Sequence, residues 1–114
     1  MQLNTIQKNF IEDETMQWAT VEKGIDRKVM AYDEALMVVK VRFEAGAIGS
    51  IHQHIHTQIT FIESGLFEVT IQDEKKILRK GDVFYIPSDI SHGVECIEEG
   101  MLIDIFNPLR KDFL

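Results

Sequence analysis

Cysteine is almost missing from this chain of 114 residues, because Cys96 is its only one. An internal disulfide is therefore excluded, which is typical of proteins from a reducing compartment. No apolar run approaches the roughly 20 residues that a membrane-spanning helix needs. The first ten residues lack a continuous apolar core and a small-residue cleavage site. We therefore expect no signal peptide, no membrane partner and a cytoplasmic location.

Positive charge is also scarce, since 12 Lys and Arg residues face 19 Asp and Glu residues, for a net charge of −7. An acidic surface repels phosphate backbones and disfavours nucleic-acid binding, although it leaves room for a local basic pocket that takes a small anion. The composition, 45% hydrophobic and 27% charged, is ordinary for a folded protein. At this length we expect one domain over residues 1–114.

A convincing amphipathic helix is missing too, and the pattern favours short strands after a polar arm at residues 1–17. The predicted strands are 18–22, 27–31, 36–44, 56–63, 67–72, 76–79, 83–86, 93–97 and 101–106. Turns are expected at Lys23-Gly24, Ser64-Gly65, Asp73-Glu74, Lys80-Gly81 and Glu99-Gly100. Many short strands in one small domain indicate a sandwich or barrel with a concave interior.

Histidine is concentrated in one place, since three of the four histidines, His52, His54 and His56, fall within five residues. In one extended strand, residues 52, 54, 56 and 58 would share a face. Two of these imidazoles, the amide oxygen of Gln58 and an imidazole from a neighbouring strand can grip one metal ion. Imidazole-rich sites suit zinc, nickel, copper or iron. The alternative is that these are ordinary solvated or hydrogen-bonded strand histidines.

The spacing around these histidines resembles the cupin family, whose motifs are G(X)5HXH(X)3–4E(X)6G and G(X)5PXG(X)2H(X)3N. Two stretches, 46–65 and 81–96, match seven of the ten specified positions and depart at Gln58, Asp89 and Cys96. The matches are Gly46, His52, His54, Gly65, Gly81, Pro87 and His92. The resemblance implies an all-β, single-domain cupin jelly-roll β-barrel (a double-stranded β-helix).

The same resemblance implies one divalent metal ion (Zn, Ni, Fe or Mn) held by His52, His54, Gln58 and His92. Because Gln58 replaces the usual Glu, the 2+ charge is left uncompensated, which favours an anionic ligand such as a substrate carboxylate. The alternative is a degenerate or empty site. His56 remains open as an outward residue, a supporting donor or a replacement ligand.

A narrower resemblance is to the pectin-degradation cupins of the KdgF type, carried by residues 45–49, 65–69 and 104–113 and by Gln58 itself. Members of that family open and ketonise 4,5-unsaturated uronate monosaccharides from pectin or alginate, an isomerase-type reaction that yields linear 5-keto-4-deoxyuronate. The resemblance implies Asp104 as acid and base, Arg110 as the anchor of a small anionic sugar acid and Phe106 as a ring contact. Asp104 also stands out by itself, as a carboxylate in an apolar strand.

Other interpretations of these residues are open. Asp104 is alternatively a structural carboxylate paired with Arg42 or Lys40. Phe106 is alternatively an ordinary core residue, and Arg110 is alternatively a solvated residue of a polar tail. Gln53 and Tyr85 are weaker pocket candidates, and Cys96 is expected to be a small buried hydrophobe.

Two other functions compete with ketonisation. One is a metal-dependent dioxygenase, against which Gln58 weighs, because oxygen activation commonly uses a carboxylate ligand. The other is a non-catalytic module that binds a small molecule such as a sugar acid. We also expect a homodimer in which the N-terminal strands or the Trp18 region cover exposed strand edges.

Overall fold

The computed structural model describes residues 9–114, so the first eight residues of the expected arm lie outside the described part. Within that part no helix is long and apolar enough to cross a membrane. The helical elements are two short 3-10 turns, Asp13–Thr15 and Lys111–Phe113. The strands are β1 (Ala19–Glu22), β2 (Ile25–Tyr32), β3 (Met37–Phe43), β4 (Ile48–His52), β5 (Thr57–Ile71), β6 (Glu74–Arg79), β7 (Val83–Ile86) and β8 (His92–Asn107).

The two longest strands, β5 and β8, organise the sheet because they pair with each other along their whole length. The C-terminal half of β8 pairs with β3, β3 pairs with β2, and β2 pairs with β1, whereas the N-terminal half of β8 pairs with β4. In the same way β5 pairs first with β7 and then with β6. This antiparallel arrangement confirms the predicted all-β jelly-roll barrel.

The core lies inside this barrel and is filled by every second residue of the strands. In β3, Met37, Val39, Val41 and Phe43 are buried and the residues between them are more exposed. Such alternation places one face of each strand inward. The buried cluster also takes in Ile62 and Phe67 of β5, Phe84 and Ile86 of β7, and Cys96, Leu102 and Phe106 of β8.

Two predicted turns are wrong, because Ser64-Gly65 and Glu99-Gly100 lie inside β5 and β8. These glycines mark a bulge where the two paired backbones approach closely: a Cβ built on Gly65 would lie 2.6 Å from the Cα of Gly100. The pairing register shifts on either side of Ser64. Glycine inside a strand permits both a sharp bend and a close approach of two backbones. Four predicted strands are therefore two bent ones.

A second difference is β4, which the sequence pattern does not predict. Its residues are small or solvent-exposed, so no apolar alternation marks them. β4 pairs with β8 and sets His52 opposite His92. The predicted strand 56–63 corresponds to the start of β5, and no single strand carries residues 52–58: His52 ends β4, His54 lies in the loop 53–56, and Gln58 belongs to β5.

The close approach of β5 and β8 at Gly65 yields a stability prediction. Gly65 and Gly81 both have left-handed φ angles, +86° and +94°, but a Cβ on Gly81 meets nothing within 4 Å. We expect Gly65→Ala to lower the free energy of unfolding by about 1–3 kcal/mol more than Gly81→Ala, the usual cost of overpacking. Urea denaturation of both variants measures this difference. Equal losses of unfolding free energy in the two variants would show that the backbones of β5 and β8 are not closely packed at Gly65.

Candidate metal centre and adjoining cavity

Three histidines from separate parts of the fold meet at one point. His52 comes from the end of β4, His54 from the following loop and His92 from the start of β8. One ring nitrogen from each lies within 4.8 Å of the others, as metal ligands do. The loop that carries His54 is fixed by the Asp89 backbone N–H, which donates to the His54 carbonyl oxygen at 2.7 Å. Asp89 replaces a motif glycine and keeps its left-handed backbone, with φ 62°.

Hydrogen bonds to the backbone fix which nitrogen of two rings is free. Nδ1–H of His52 donates to the Ser50 carbonyl at 2.7 Å, and Nδ1–H of His92 donates to the Ile90 carbonyl at 2.9 Å. In the neutral form of each ring, Nε2 is then the nitrogen that carries the lone pair and can bind a metal ion. Burial lowers the pKa of His92, which favours its neutral form. Its Nε2 is buried and has no partner among the described residues, as expected of a ligand atom.

His54 and Gln58 form an unusual contact that points to a cation between them. The His54 ring faces two acceptors, the His56 carbonyl oxygen at 3.2 Å and Gln58 Oε1 at 3.1 Å. Burial, followed by the charge of Arg110, lowers the pKa of His54 to about 4, so at neutral pH the ring has one N–H and satisfies one acceptor. The other acceptor oxygen is left facing a nitrogen lone pair. A metal ion at that position would be attracted to both atoms.

These residues therefore fit a metal ion, with three imidazole nitrogens and one amide oxygen as its donors. Such a set suits zinc, nickel or iron. His56 lies outside the histidine cluster, because its Nε2–H donates to the Leu109 carbonyl at 3.1 Å.

A chain of hydrogen bonds connects Gln58 to Asp104. The Gln58 amide donates to Thr60 Oγ1 at 2.8 Å, and that hydroxyl donates to Asp104 Oδ1 at 2.6 Å. Donation from the amide nitrogen turns Oε1 of Gln58 toward His54. The alternative partners proposed for Asp104 are wrong: Arg42 pairs with Asp26 and Lys40 pairs with Asp13.

The environment of Asp104 favours its protonated form. Burial raises the pKa of its carboxyl group to about 6, against the opposing effects of the Thr60 hydrogen bond, the Arg110 charge and the Gln58 hydrogen bond. A cation bound at the histidines would lower this pKa. A carboxyl group that titrates near neutral pH can both donate and accept a proton.

A cavity of about 370 Å³ opens beside the histidines. Phe106 is buried at 2% exposure and contributes both to the core and to the cavity wall. Arg110 is not a solvated tail residue, since its side chain is 12% exposed and its guanidinium lies 5.2 Å from the centre of the Phe106 ring. The charged, polar and aromatic lining residues are Glu22, Arg27, Phe43, Ser50, His52, Gln58, Phe84, His92, Asp104, Phe106, Arg110 and Phe113.

Three residues at this site are not identified by the motifs. Thr60 follows Gln58 by two positions and shares its inward face, so strand periodicity could have found it. Arg27 stands two residues after buried Ile25 in β2, and the same periodicity applies. Phe113 lies in the last turn, where no pattern marks it.

Two weaker expectations are also decided. Tyr85 does not line this cavity; it is 58% exposed and is paired with exposed Ile59 on the outer face of the barrel. Cys96 is buried, which confirms the expectation of a small core residue.

Comparison with known proteins places this site in context. A family model described as a cupin domain matches residues 39–106. The pectin degradation protein KdgF of Dickeya dadantii is 46% identical over 111 residues, 96% of this chain and 100% of that protein. The structure of KdgF from Halomonas sp. has a TM-score of 0.91 and 40% identity, covering 95% of this chain and 100% of that one. A RmlC-like cupin structure from Shewanella frigidimarina has a TM-score of 0.92 and 34% identity, covering 95% and 97%.

The geometry of the four donors predicts metal content. We expect about one divalent ion per chain in the purified protein, and His92→Ala to lose most of it, because this variant removes a buried ligand nitrogen that no other atom replaces. His56→Ala is the matched control and should retain the metal, since its ring bonds to Leu109. Elemental analysis of the dialysed proteins measures both. Full metal content in His92→Ala would contradict this assignment.

Proposed function

The chain belongs to the cupin family, and we propose that it opens and ketonises 4,5-unsaturated uronate monosaccharides released from pectin or alginate. The similarity to KdgF extends over nearly the whole chain. The observation that carries the proposal is the position of Asp104. It is linked to Gln58 by hydrogen bonds through the Thr60 hydroxyl, and it lines the same cavity as Arg110 and Phe106. The product is linear 5-keto-4-deoxyuronate, so the enzyme is an isomerase.

The proposed substrate is a cyclic hemiacetal whose ring oxygen sits on a double-bonded carbon next to the carboxylate. Ring opening breaks the bond between C1 and the ring oxygen, and the C1 hydroxyl loses its proton as the aldehyde forms. The ring oxygen becomes an enolate oxygen on C5. Protonation of C4 then gives the C5 ketone, so one proton leaves O1, one proton arrives at C4, and the composition is unchanged.

Asp104 is the residue we assign to these proton transfers. As the carboxylate it accepts the proton of the C1 hydroxyl, and as the acid it donates a proton to C4. The Thr60 hydroxyl, which donates to Oδ1 at 2.6 Å, holds the carboxyl group in one orientation. A pKa near neutrality, as burial gives Asp104, suits both directions of transfer.

The other residues bind and orient the sugar acid. His52, His54, Gln58 and His92 would hold the metal ion, whose chemistry when bound is Lewis-acid stabilisation of negative charge developing on substrate oxygens. Arg110 keeps N–H groups beyond those bonded to Asp112 and can contact the anionic end of the sugar. Phe106 offers a buried aromatic wall against which a sugar ring packs.

The most direct assay is incubation with unsaturated galacturonate while its ultraviolet absorbance is followed. Ketonisation removes the double bond conjugated with the carboxylate, so the absorbance should fall without oxygen uptake. Oxygen uptake in the same vessel would favour a dioxygenase instead. Binding without any change in absorbance would favour a sugar-acid binding module.

We further propose a cytoplasmic homodimer in which residues 1–114 form one domain. The location rests on the lone, buried Cys96. The dimer rests on an exposed apolar row on the outer face of the barrel, formed by Ile59 and Phe61 of β5 with their register partners Tyr85 and Val83 of β7. This uncharged row can meet a second copy of an acidic chain without bringing like charges together.

For Asp104→Asn we expect unchanged metal content and near-normal stability, because the amide keeps the shape and can still accept the Thr60 hydrogen bond. Ketonisation should slow by about 10²–10⁴-fold, the usual effect of losing a general acid–base group. The absorbance assay measures this rate. Arg110→Ala is the comparison and should mainly raise KM. A wild-type rate in Asp104→Asn would contradict the proton-transfer role.

The dimer is tested by light scattering. The molar mass of wild type should be twice that of one chain at all concentrations in the micromolar range. The double variant Val83→Lys with Tyr85→Lys should have the mass of one chain, because the lysines place charge in the apolar row. Lys75→Glu on β6 is a surface control that should leave the mass unchanged. A wild-type monomer, or a double variant that remains dimeric, would contradict this interface.

A further inference from the structure

Arg27 places a second guanidinium in the cavity. It lies on β2 between the inward-facing residues Ile25 and Val29, and opposite Val41 of β3. It lines the same cavity as Asp104. Proton transfer by Asp104 and binding of a metal ion by the histidines leave Arg27 without a role.

Arg27 has no ion pair or side-chain hydrogen bond within residues 9–114. Burial lowers the pKa of its guanidinium, the charge of Arg110 lowers it further, and Asp112 and Asp104 act in the opposite direction. An arginine nevertheless stays charged, with five N–H donors. The protein therefore offers this half-buried charge a ring contact but no carboxylate or hydrogen-bond acceptor, which compensates it incompletely. An anionic ligand would supply the missing partner.

The neighbouring arginine differs in this respect. Arg110 donates from its Nε and one terminal nitrogen to the two carboxylate oxygens of Asp112, at 3.1 Å and 2.8 Å. The two-pronged edge of its guanidinium, formed by the parallel N–H groups on Nε and one terminal nitrogen, is therefore occupied by a carboxylate of the protein. The corresponding edge of Arg27 is unoccupied and matches the geometry of one carboxylate.

Phe113 holds the two arginines in place. The Arg27 guanidinium carbon lies 3.7 Å from the centre of the Phe113 ring, and that of Arg110 lies 4.3 Å from it. Cation–π attraction to one ring keeps both charges at the same end of the cavity. In a protein with a net charge of −7, this end is a local basic site.

We propose that Arg27 binds the carboxylate of the sugar acid through two parallel hydrogen bonds and so selects acids over neutral sugars, with Arg110 contacting the same end of the substrate. This assignment rests on the proposed function, since the anion is the substrate of that reaction. Arg27 is a binding residue and takes no part in the proton transfer.

The test is calorimetric titration with galacturonate, a sugar acid that lacks the double bond and cannot react, alongside the absorbance assay with the unsaturated substrate. We expect Arg27→Met to weaken galacturonate binding about 10- to 100-fold and to raise KM by a similar factor, with kcat within about threefold. Arg27→Lys keeps the charge without the two-pronged edge and should fall in between. Arg79→Met, at an exposed arginine of β6, is the matched control and should equal wild type.

The outcomes separate the two proposals. If Arg27→Met binds galacturonate as tightly as wild type, the role of Arg27 is wrong, and loss of absorbance in wild type would still support ketonisation. If wild type leaves the absorbance unchanged while galacturonate binding still depends on Arg27, ketonisation is wrong and the acid-binding role holds. If circular dichroism shows that Arg27→Met is unfolded, Arg27→Lys decides, and wild-type affinity in it would contradict the proposal.

Discussion

The antiparallel pairing of β5 and β8 is the constraint on which the site depends. Its register sets Thr60 directly across from Asp104 and Gln58 across from Phe106, so the hydrogen-bonded chain follows from strand alignment. A shift of one residue would turn every one of these side chains to the outer face. The bend of the two strands at Gly65 lets the same pair extend through both halves of the barrel. The N-terminal end of β8 then places His92 in the histidine cluster.

Charge balance gives the site its selectivity. Of the residues proposed to hold the metal ion, His54 and His92 favour the neutral form because burial lowers their pKa values, and Gln58 replaces a carboxylate. Arg27 and Arg110 add positive charge to the cavity that His52 and His92 also line. The cavity therefore attracts an anion, whereas the acidic exterior keeps large polyanions away.

Sequence spacing was most informative where backbone geometry is fixed by single residues. The glycine and proline positions of the two motifs selected His52, His54 and His92 over His56, and the structure brings the same three together. Periodicity was less reliable. It missed β4 and did not show that His52, His54 and Gln58 lie on three separate elements, because a loop with alternating polar residues has the same pattern as a strand. Gly65 was predicted as a turn, since a glycine marks a bend and a turn alike.

Long-range packing explains the rest of what spacing could not show. Arg27 is about 80 positions from Arg110 in the chain, and their common ring, Phe113, belongs to a terminal turn that docks against β2. The measurement that most directly tests the account is proton NMR of the reaction in heavy water, sampled before the product exchanges. Asp104 lies on one side of the cavity, so the account predicts one deuterium at C4 in a single configuration. An equal mixture of configurations, or protonation at the rate of the uncatalysed reaction, would contradict it.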